Sequence, residues 1–592
     1  MKILVFAPHA QIWKHAFPEA LFVEALQQKG HEVSYMGCGS ALVSNCIPLI
    51  SNYVPYDSPA SKKNKICKLC KKNASVIKNR FGFRGFDLDA FLDKEMVSAI
   101  NFQLANVTQK NFKSCVINEI KVGRIALYEL VLRHKLMEVD ELSDEIWNEY
   151  LSTLESVLKT FYVMEKVIAT EKPDRVIAYN GLYSVNTACR EVANKSNIPF
   201  YWLHAGLNQK NRLENLMVGK DHTFAYYRSI IGKWKQELFD IPCSKKDLAI
   251  VTDNFIDIIN GGSWMSYSES SSKGAFKLRE EFNIPLSSSI VTVVLSSLDE
   301  KIAAESVGAY IEGEGSLFIS QVEWLKELLK FMGERDDLFM IIRPHPRELG
   351  AAREVTKVIS KHSKELRKIL VNTPHNVRVN WPSDNLSIYD LMEETNLFLN
   401  AYSTSAREMT MLGLPVLTYK NEDVLEPVSI TYTGSSKAEY LEQIDVNLKQ
   451  PFDPERIRRG FRWRATELIY SHINISESVF MSDDYLSITG KAKKALSRSG
   501  DYIFKGWSQY RDCNKRSERL LEIEKINRLV VSGFDSALDL INTSEMRLVS
   551  PDDDLPLIRE EIKRLMEHIY SPSTIIRKGT LRSYLTEFVN ND

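Results

Sequence analysis

KILVFA (2–7), FPEALFVEALQQKG (17–30) and HEVSYMG (31–37) open the chain. The first is an uninterrupted apolar run. The second repeats apolar residues at helical spacing and stops at Gly30, and the third reads as another strand. Strand, helix and strand in such close succession form a βαβ opening, which predicts a parallel, doubly wound sheet. In sheets of this kind ligands bind beyond the carboxyl ends of the strands. The loop after the first strand carries Pro8 and His9, and the helix that follows carries Glu19 beside Pro18.

The same rhythm returns further along. KPDRVIAYNG (172–181) is a Pro-Asp turn feeding a strand, SVNTACREVANKSN (184–197) is helical, and IPFYWLHAG (198–206) is a strand ending near His204. Residues 1–265 therefore read as one Rossmann-like domain, interrupted at about 38–170 by a cysteine-bearing helical insertion. The Gly/Ser-rich stretch 260–274 marks a boundary. A second series follows over 275–450, with strands SIVTVVLSS (289–297), LFMIIRPHP (338–346), LFLNAY (397–402) and LPVLTY (414–419). Residues 451–592 read as a helical extension without a strand series.

The chain has 592 residues, with 76 Lys and Arg against 77 Asp and Glu, 44% apolar residues and a net charge of −1. That balance is ordinary for a soluble globular protein and argues against a nucleic-acid binder, so no nucleic-acid partner is expected. No stretch is long and apolar enough for a membrane span or a signal peptide, so a cytoplasmic location is expected.

Two stretches of the second series concentrate chemistry. In IIRPHPRE (341–348) a strand ends in Arg343, His345 and Arg347, set between two prolines; guanidinium forks and an imidazole suit phosphate and ribose oxygens. In NAYSTSAREMTMLGLPVL (400–417), Ser403, Thr404 and Ser405 open a helix, with Glu408 one turn in. Hydroxyls and free N–H groups there suit an anion. Ser405 and Glu408 also fit a capping box, and Gly413 a helix stop.

His-Pro after one strand, followed by Ser/Thr at a later helix start, resembles the HP and S/T motifs of GT-B-like glycosyltransferases such as Kdo transferases, bacterial sialyltransferases and CDP-glycerol polymerases. A broader resemblance, to bacterial capsule and surface-polysaccharide biosynthesis proteins, runs over VGRIALYELVLRHKL (122–136), IAYNGLYSVNTACREVANKSNIPFYWLHAG (177–206) and FRWRATELIYSHINIS (461–476). Relatives often carry Asn-Gly-Arg and a His-Glu-Arg-Gly-like run; this chain has Asn180-Gly181-Leu182 and His204-Ala205-Gly206, without that Arg and carboxylate.

The resemblance implies a GT-B-like α/β fold of two Rossmann-like domains. It further implies transfer of a sugar from a nucleotide-activated donor, with CMP-linked Kdo or a sialic-acid-like sugar among the expected donors. The acceptor would be a growing capsule or O-antigen polysaccharide or its lipid-linked precursor. Arg343, His345, Arg347, Ser403, Thr404, Ser405 and Glu408 would hold the donor. His9, Glu19 and His204 are the catalytic candidates of the first domain. The other readings are a CDP-linked glycerol or sugar-phosphate transferase, a sugar-nucleotide 2-epimerase, and a non-catalytic capsule-assembly scaffold. The helical tail, with basic GKAKKALSRSG (490–500), is a candidate for peripheral contact with the inner face of the cytoplasmic membrane.

Cys38, Cys46, Cys67 and Cys70 cluster, whereas Cys115, Cys189, Cys243 and Cys513 are scattered. CxxC with a second pair at a distance is a zinc-like pattern, so a structural zinc is expected, while no redox cofactor is.

Overall fold

A computed structural model describes residues 1–137, 139, 141–261, 269–310, 316–349, 358–401, 403–420, 425–479, 509–550, 553–572 and 575–590. The basic stretch 490–500 lies outside these residues, as do Tyr402 and much of the Gly/Ser-rich boundary. Two sheets organise the molecule. The first contains β1 (Lys2–Phe6), β2 (Glu32–Gly37), β3 (Arg84–Asp87), β4 (Arg175–Tyr179), β5 (Phe200–Ala205) and β6 (Asn215–Lys220), together with β12 (His472–Asn474). Its order is β12-β6-β5-β4-β1-β2-β3, with β1 to β5 parallel and the last two antiparallel additions at one edge. The second contains β7 (Ser289–Val294), β8 (Leu338–Arg343), β9 (Val377–Val379), β10 (Leu397–Asn400) and β11 (Val416–Thr418), all parallel, in the order β11-β10-β7-β8-β9.

Both parallel cores thus follow the doubly wound order of a Rossmann sheet, giving the GT-B-like two-lobed α/β fold. The direction of winding reverses between β1 and β4 in the first lobe and between β7 and β10 in the second. At such switch points neighbouring loops leave in opposite directions and open a crevice.

The apolar run of β1 follows from burial on both faces. Leu4 and Phe6 join the core formed with the helices at 144–171 and 184–195, while Ile3 and Val5 join the opposite core with the helices at 13–28 and 60–81. Gly30 ends the first helix at φ +85°, a conformation glycine adopts without strain.

Two details depart from the sequence reading. Arg84–Asp87, within the stretch expected as a helical insertion, form β3, which pairs in parallel with β2. Its four residues, RGFD, are too short and too polar to show strand alternation. A Cβ on Gly85 would meet the Lys78 chain at 2.0 Å, so glycine lets that side chain lie against the strand. The tail, read as helical throughout, contributes β12 to the first sheet.

The tail is shared between the lobes. Its helix Ile523–Val531 packs into the first lobe, whereas Leu555–Ile569 and Leu581–Asn590 pack with the helices Lys245–Ile259 and Ser405–Met411. Among the described residues no helix is long and apolar enough to cross a membrane.

Candidate functional site

At the first switch point the carboxyl ends of β1, β4 and β5 gather three imidazoles around Tyr179. His9 is buried, edge-on to Tyr183 at 5.5 Å, with Nε2 3.2 Å from Asn186 Oδ1. The Asn186 amide donates to the carbonyls of Tyr179 and Asn180, each at 2.8 Å, which fixes its oxygen toward His9. His9 must therefore carry its proton on Nε2 and leave Nδ1 as a bare acceptor. That Nδ1 is buried without a protein partner. Burial pushes the imidazole down to about 4, against the pull of Asn186, so the ring stays neutral at ordinary pH.

His15 stacks on the Tyr179 ring at 4.3 Å, and its enclosed Nδ1 also has no partner. Burial, reinforced by His204, His9, Arg212 and Lys14, pushes it down to about 3. His204 lies 5.6 Å from the same tyrosine, and its Nδ1 sits 3.1 Å from the Ala205 carbonyl. It falls to about 4 through burial and Arg212, with the Ala205 carbonyl opposing. The Tyr179 hydroxyl accepts from the Ala205 N–H at 2.9 Å, tying β4 to β5.

Glu19 is 2% exposed, and burial holds its carboxyl far above the ordinary range, opposed by the Tyr179 backbone; Oε1 has no partner. Burial thus favours its neutral form over an anion stabilised by the helix dipole.

Sequence reasoning singled out His9, Glu19 and His204 but missed His15, Tyr179, Tyr183 and Arg212. A second histidine close behind His9 was visible; its stacking on a residue of β4 was not.

His15 carries a testable consequence. Its folded pKa lies below the unfolded value, so its stability contribution is complete above about pH 6.5 and is lost as pH falls toward 3. Relative to His15→Gln, the native chain should lose up to about 1.4 kcal/mol per pH unit below pH 6.5. Urea midpoints of both proteins at pH 7.5, 6 and 5 check this. A pH-independent difference would remove His15 from the buried cluster.

The second switch point has a parallel feature. After β7, the buried Ser296 hydroxyl has no partner; after β10, neither does the buried Asn400 amide nitrogen. Asn400 Oδ1 accepts the Ser403 N–H at 3.1 Å, and the Ser403 and Ser405 hydroxyls lie 3.0 Å apart. Thr404 is exposed. The capping box is not formed: Glu408 accepts from the Tyr389 hydroxyl at 2.7 Å instead. Burial raises the Glu408 carboxyl, against that hydroxyl and the nearby Arg464 and Arg407.

Arg343, the last residue of β8, is buried and donates to Asn380 Oδ1. Burial lowers it to about 10, opposed by Asp390, Glu269, Tyr389 and Asp384. Arg343 and Glu408 both act on Tyr389, so the two motifs read from sequence meet there.

Arg347 has a different setting. Its Nε and Nη2 donate to Asp299 at 2.9 and 2.6 Å, and Nη2 also reaches the Leu132 carbonyl of the first lobe at 3.2 Å. Its backbone N–H donates to His345 Nδ1 at 3.2 Å, and its carbonyl accepts from Lys135. Arg347 thus ties the lobes together.

Cys38, Cys46, Cys67 and Cys70 line one cavity beside the ends of β1 and β2, together with Ala7, Pro8, Lys71 and Asp87. Burial pushes the Cys38 thiol up to about 11 and the Cys70 thiol up to about 12, so these groups are protonated thiols. Among the described residues no three His, Cys, Asp or Glu side chains converge closely enough to hold a metal ion. As placed, the four thiols wall a cavity and do not form a ligand tetrad.

No family model and no curated protein matches the sequence. Among solved structures, the chain is similar to a UDP-GlcNAc 2-epimerase from Neisseria meningitidis bound to UDP-GlcNAc, at 13% identity over 79% of this chain and 98% of that one, with a TM-score of 0.25. The spinosyn rhamnosyltransferase SpnG complexed with spinosyn aglycone matches at 10% identity over 79% and 97%, with a TM-score of 0.23. KpsC, a beta Kdo 2,4 transferase from Thermosulfurimonas dismutans, matches at 13% identity over 50% and 80%, with a TM-score of 0.28.

Proposed function

We propose that the protein is a glycosyltransferase that moves a sugar from a nucleotide-activated donor to a glycan or lipid-linked glycan acceptor. One observation carries this reading. Both switch points present buried polar atoms without protein partners: His9 Nδ1, His15 Nδ1 and Glu19 Oε1 in the first lobe, Ser296 Oγ and Asn400 Nδ2 in the second. A buried polar group left unpaired costs about 1–3 kcal/mol, so a polar ligand that reached these five atoms would recover part of that cost.

In this reading the second lobe holds the nucleotide phosphate. Arg343, His345 and the hydroxyls of Ser403, Thr404 and Ser405 supply the donors, and Ser296 and Asn400 complete the set. The acceptor hydroxyl attacks the anomeric carbon, the bond from that carbon to the phosphate oxygen breaks, and the nucleotide leaves with the electron pair. The acceptor proton passes to His9 Nδ1, already an unprotonated acceptor. Burial and the nearby Arg212 disfavour a proton on His15 and His204, so His9 receives the acceptor proton beside unprotonated imidazoles. Arg347 positions the lobes through Asp299 and Leu132.

Calorimetric titration with UDP-, CMP-, CDP-, GDP- and dTDP-linked sugars tests the reading and identifies the donor. Ser296→Ala should leave melting temperature unchanged or slightly raised, because it removes an unpaired hydroxyl, yet weaken donor binding by about 1 kcal/mol. His345→Ala should also weaken donor binding without unfolding the chain. Unchanged affinity in both variants would sink the donor site. Nucleotide release that needs no acceptor would favour epimerisation over transfer.

A further inference from the structure

The helix Ala60–Phe81 carries seven lysines and Arg80 and no acidic residue, in a chain whose net charge is −1. One face is spent on the core through Ile66, Asn73, Ala74, Ile77 and Phe81. Three of the cations are engaged: Lys63 donates to the Ser44 carbonyl at 3.2 Å, Lys78 pairs with Asp87 at 3.4 Å, and Arg80 lies over Tyr510. Lys71 faces the cysteine cavity and acts on Asp89.

Lys62, Lys65, Lys68 and Lys72 are exposed and, among the described residues, have no ion-pair partner. At 100° per residue, Lys65, Lys68 and Lys72 fall within about 60° of one another, with Lys62 at the margin. They form one basic stripe directed away from the core. The loop entering this helix adds Tyr53, which is 60% exposed, an aromatic ring with a polar tip.

The stripe is fastened to the first switch point. The Asn73 amide donates to the Ala10 carbonyl at 2.9 Å, the Cys70 thiol reaches the Pro8 carbonyl at 3.6 Å, and Asn52 donates to Gln11 at 3.0 Å. All three partners belong to the loop that carries His9. The lysines diverge on a convex helix face and do not converge on a pocket, which suits an extended anionic plane better than a single small anion. Such planes are formed by acidic phospholipid headgroups, to which each basic residue near the surface contributes about 1 kcal/mol.

We infer that Lys62, Lys65, Lys68 and Lys72, with Tyr53, dock the first lobe onto an anionic lipid surface and so bring the His9 loop to the membrane plane. The delivery of a lipid-linked acceptor to that loop rests on the transferase reading; the docking itself does not. The full-length protein is sedimented with vesicles of phosphatidylcholine containing about 30% phosphatidylglycerol, and with phosphatidylcholine alone.

Binding to the acidic vesicles only is expected, weakening as salt rises. The triple variant Lys65→Gln/Lys68→Gln/Lys72→Gln should bind about 100-fold more weakly, at roughly fivefold per lysine. It should retain the native melting temperature and donor affinity, which separates a failure here from a failure of the transferase reading. A control removing exposed lysines of the second lobe, Lys361→Gln/Lys364→Gln/Lys368→Gln, should bind as the native chain does. Absence of native binding to acidic vesicles, equal weakening in both triples, or capture of a soluble acidic polysaccharide in preference to vesicles would each overturn the inference.

Discussion

His9→Ala should lower the rate of sugar transfer by about 10²–10⁴-fold while donor affinity stays within twofold of the native value. The size follows from the role of a positioned base, and the separation from donor binding follows from location. His9 sits beyond β1, whereas the donor residues sit beyond β7, β8 and β10. The tautomer sharpens the expectation. Because Asn186 Oδ1 accepts from Nε2–H and so holds the ring, Asn186→Leu should free the ring to turn, lowering the rate in the same direction as His9→Ala but by less. Stopped assays of nucleotide release with and without acceptor, beside donor titrations, check both. If His9→Ala keeps native turnover and His15→Ala loses it, the base is His15, whose Nδ1 is equally bare. If neither substitution matters, the first-lobe cluster has no part in the chemistry.

The largest expected effect on stability is at Glu467. This fully buried carboxylate accepts from Arg407 of the second lobe and from Arg464, and the Tyr227 hydroxyl of the first lobe donates to it at 3.2 Å. Arg407 further pairs with Glu426 at 3.2 Å and lies over the Tyr227 ring. One carboxylate therefore joins both lobes and the tail. Glu467→Gln removes its charge and leaves two buried guanidiniums undercompensated. Breaking a buried pair in this way costs about 3–5 kcal/mol, which in a domain of this size lowers the melting temperature by roughly 6 °C or more. The exposed pair Lys29–Glu524 offers the contrast, since Lys29→Gln should leave the melting temperature nearly unchanged. Calorimetric melting of both variants tests the comparison. Equal shifts would mean that the Glu467 network is no more than a solvated ion pair.

The legibility of this chain was uneven. Apolar periodicity sufficed for the two lobes, because a strand buried on both faces must be apolar throughout, as in KILVFA. The two stretches proposed to hold the donor were legible only as elements, a strand end rigidified by proline and a Ser/Thr-rich helix start. The partners of those residues were not. Arg347 looked as suited to phosphate as Arg343, yet it is held by Asp299, 48 residues earlier, and by a carbonyl of the other lobe. Ser405 and Glu408 had the spacing of a capping box, but Tyr389 offered Glu408 a closer partner in a buried setting. The cysteine spacing suggested a metal site; the four cysteines line one cavity, but spacing along a chain does not fix where sulfur atoms point.

Local patterning alone accounts for the parallel cores of the two sheets, for most of the strand ends within them and for the residue types placed there. Hydrophobic patterning, glycine and proline are local properties, and local properties fix elements and their order. Only the tertiary structure decided which of those residues are spent on one another and which are left without a partner. That depends on contacts between segments hundreds of residues apart, such as Asn186 on His9 or Glu467 on Arg407 and Tyr227. The neutrality of the first-lobe histidines is of the same kind, because it is set by burial, which no single segment carries.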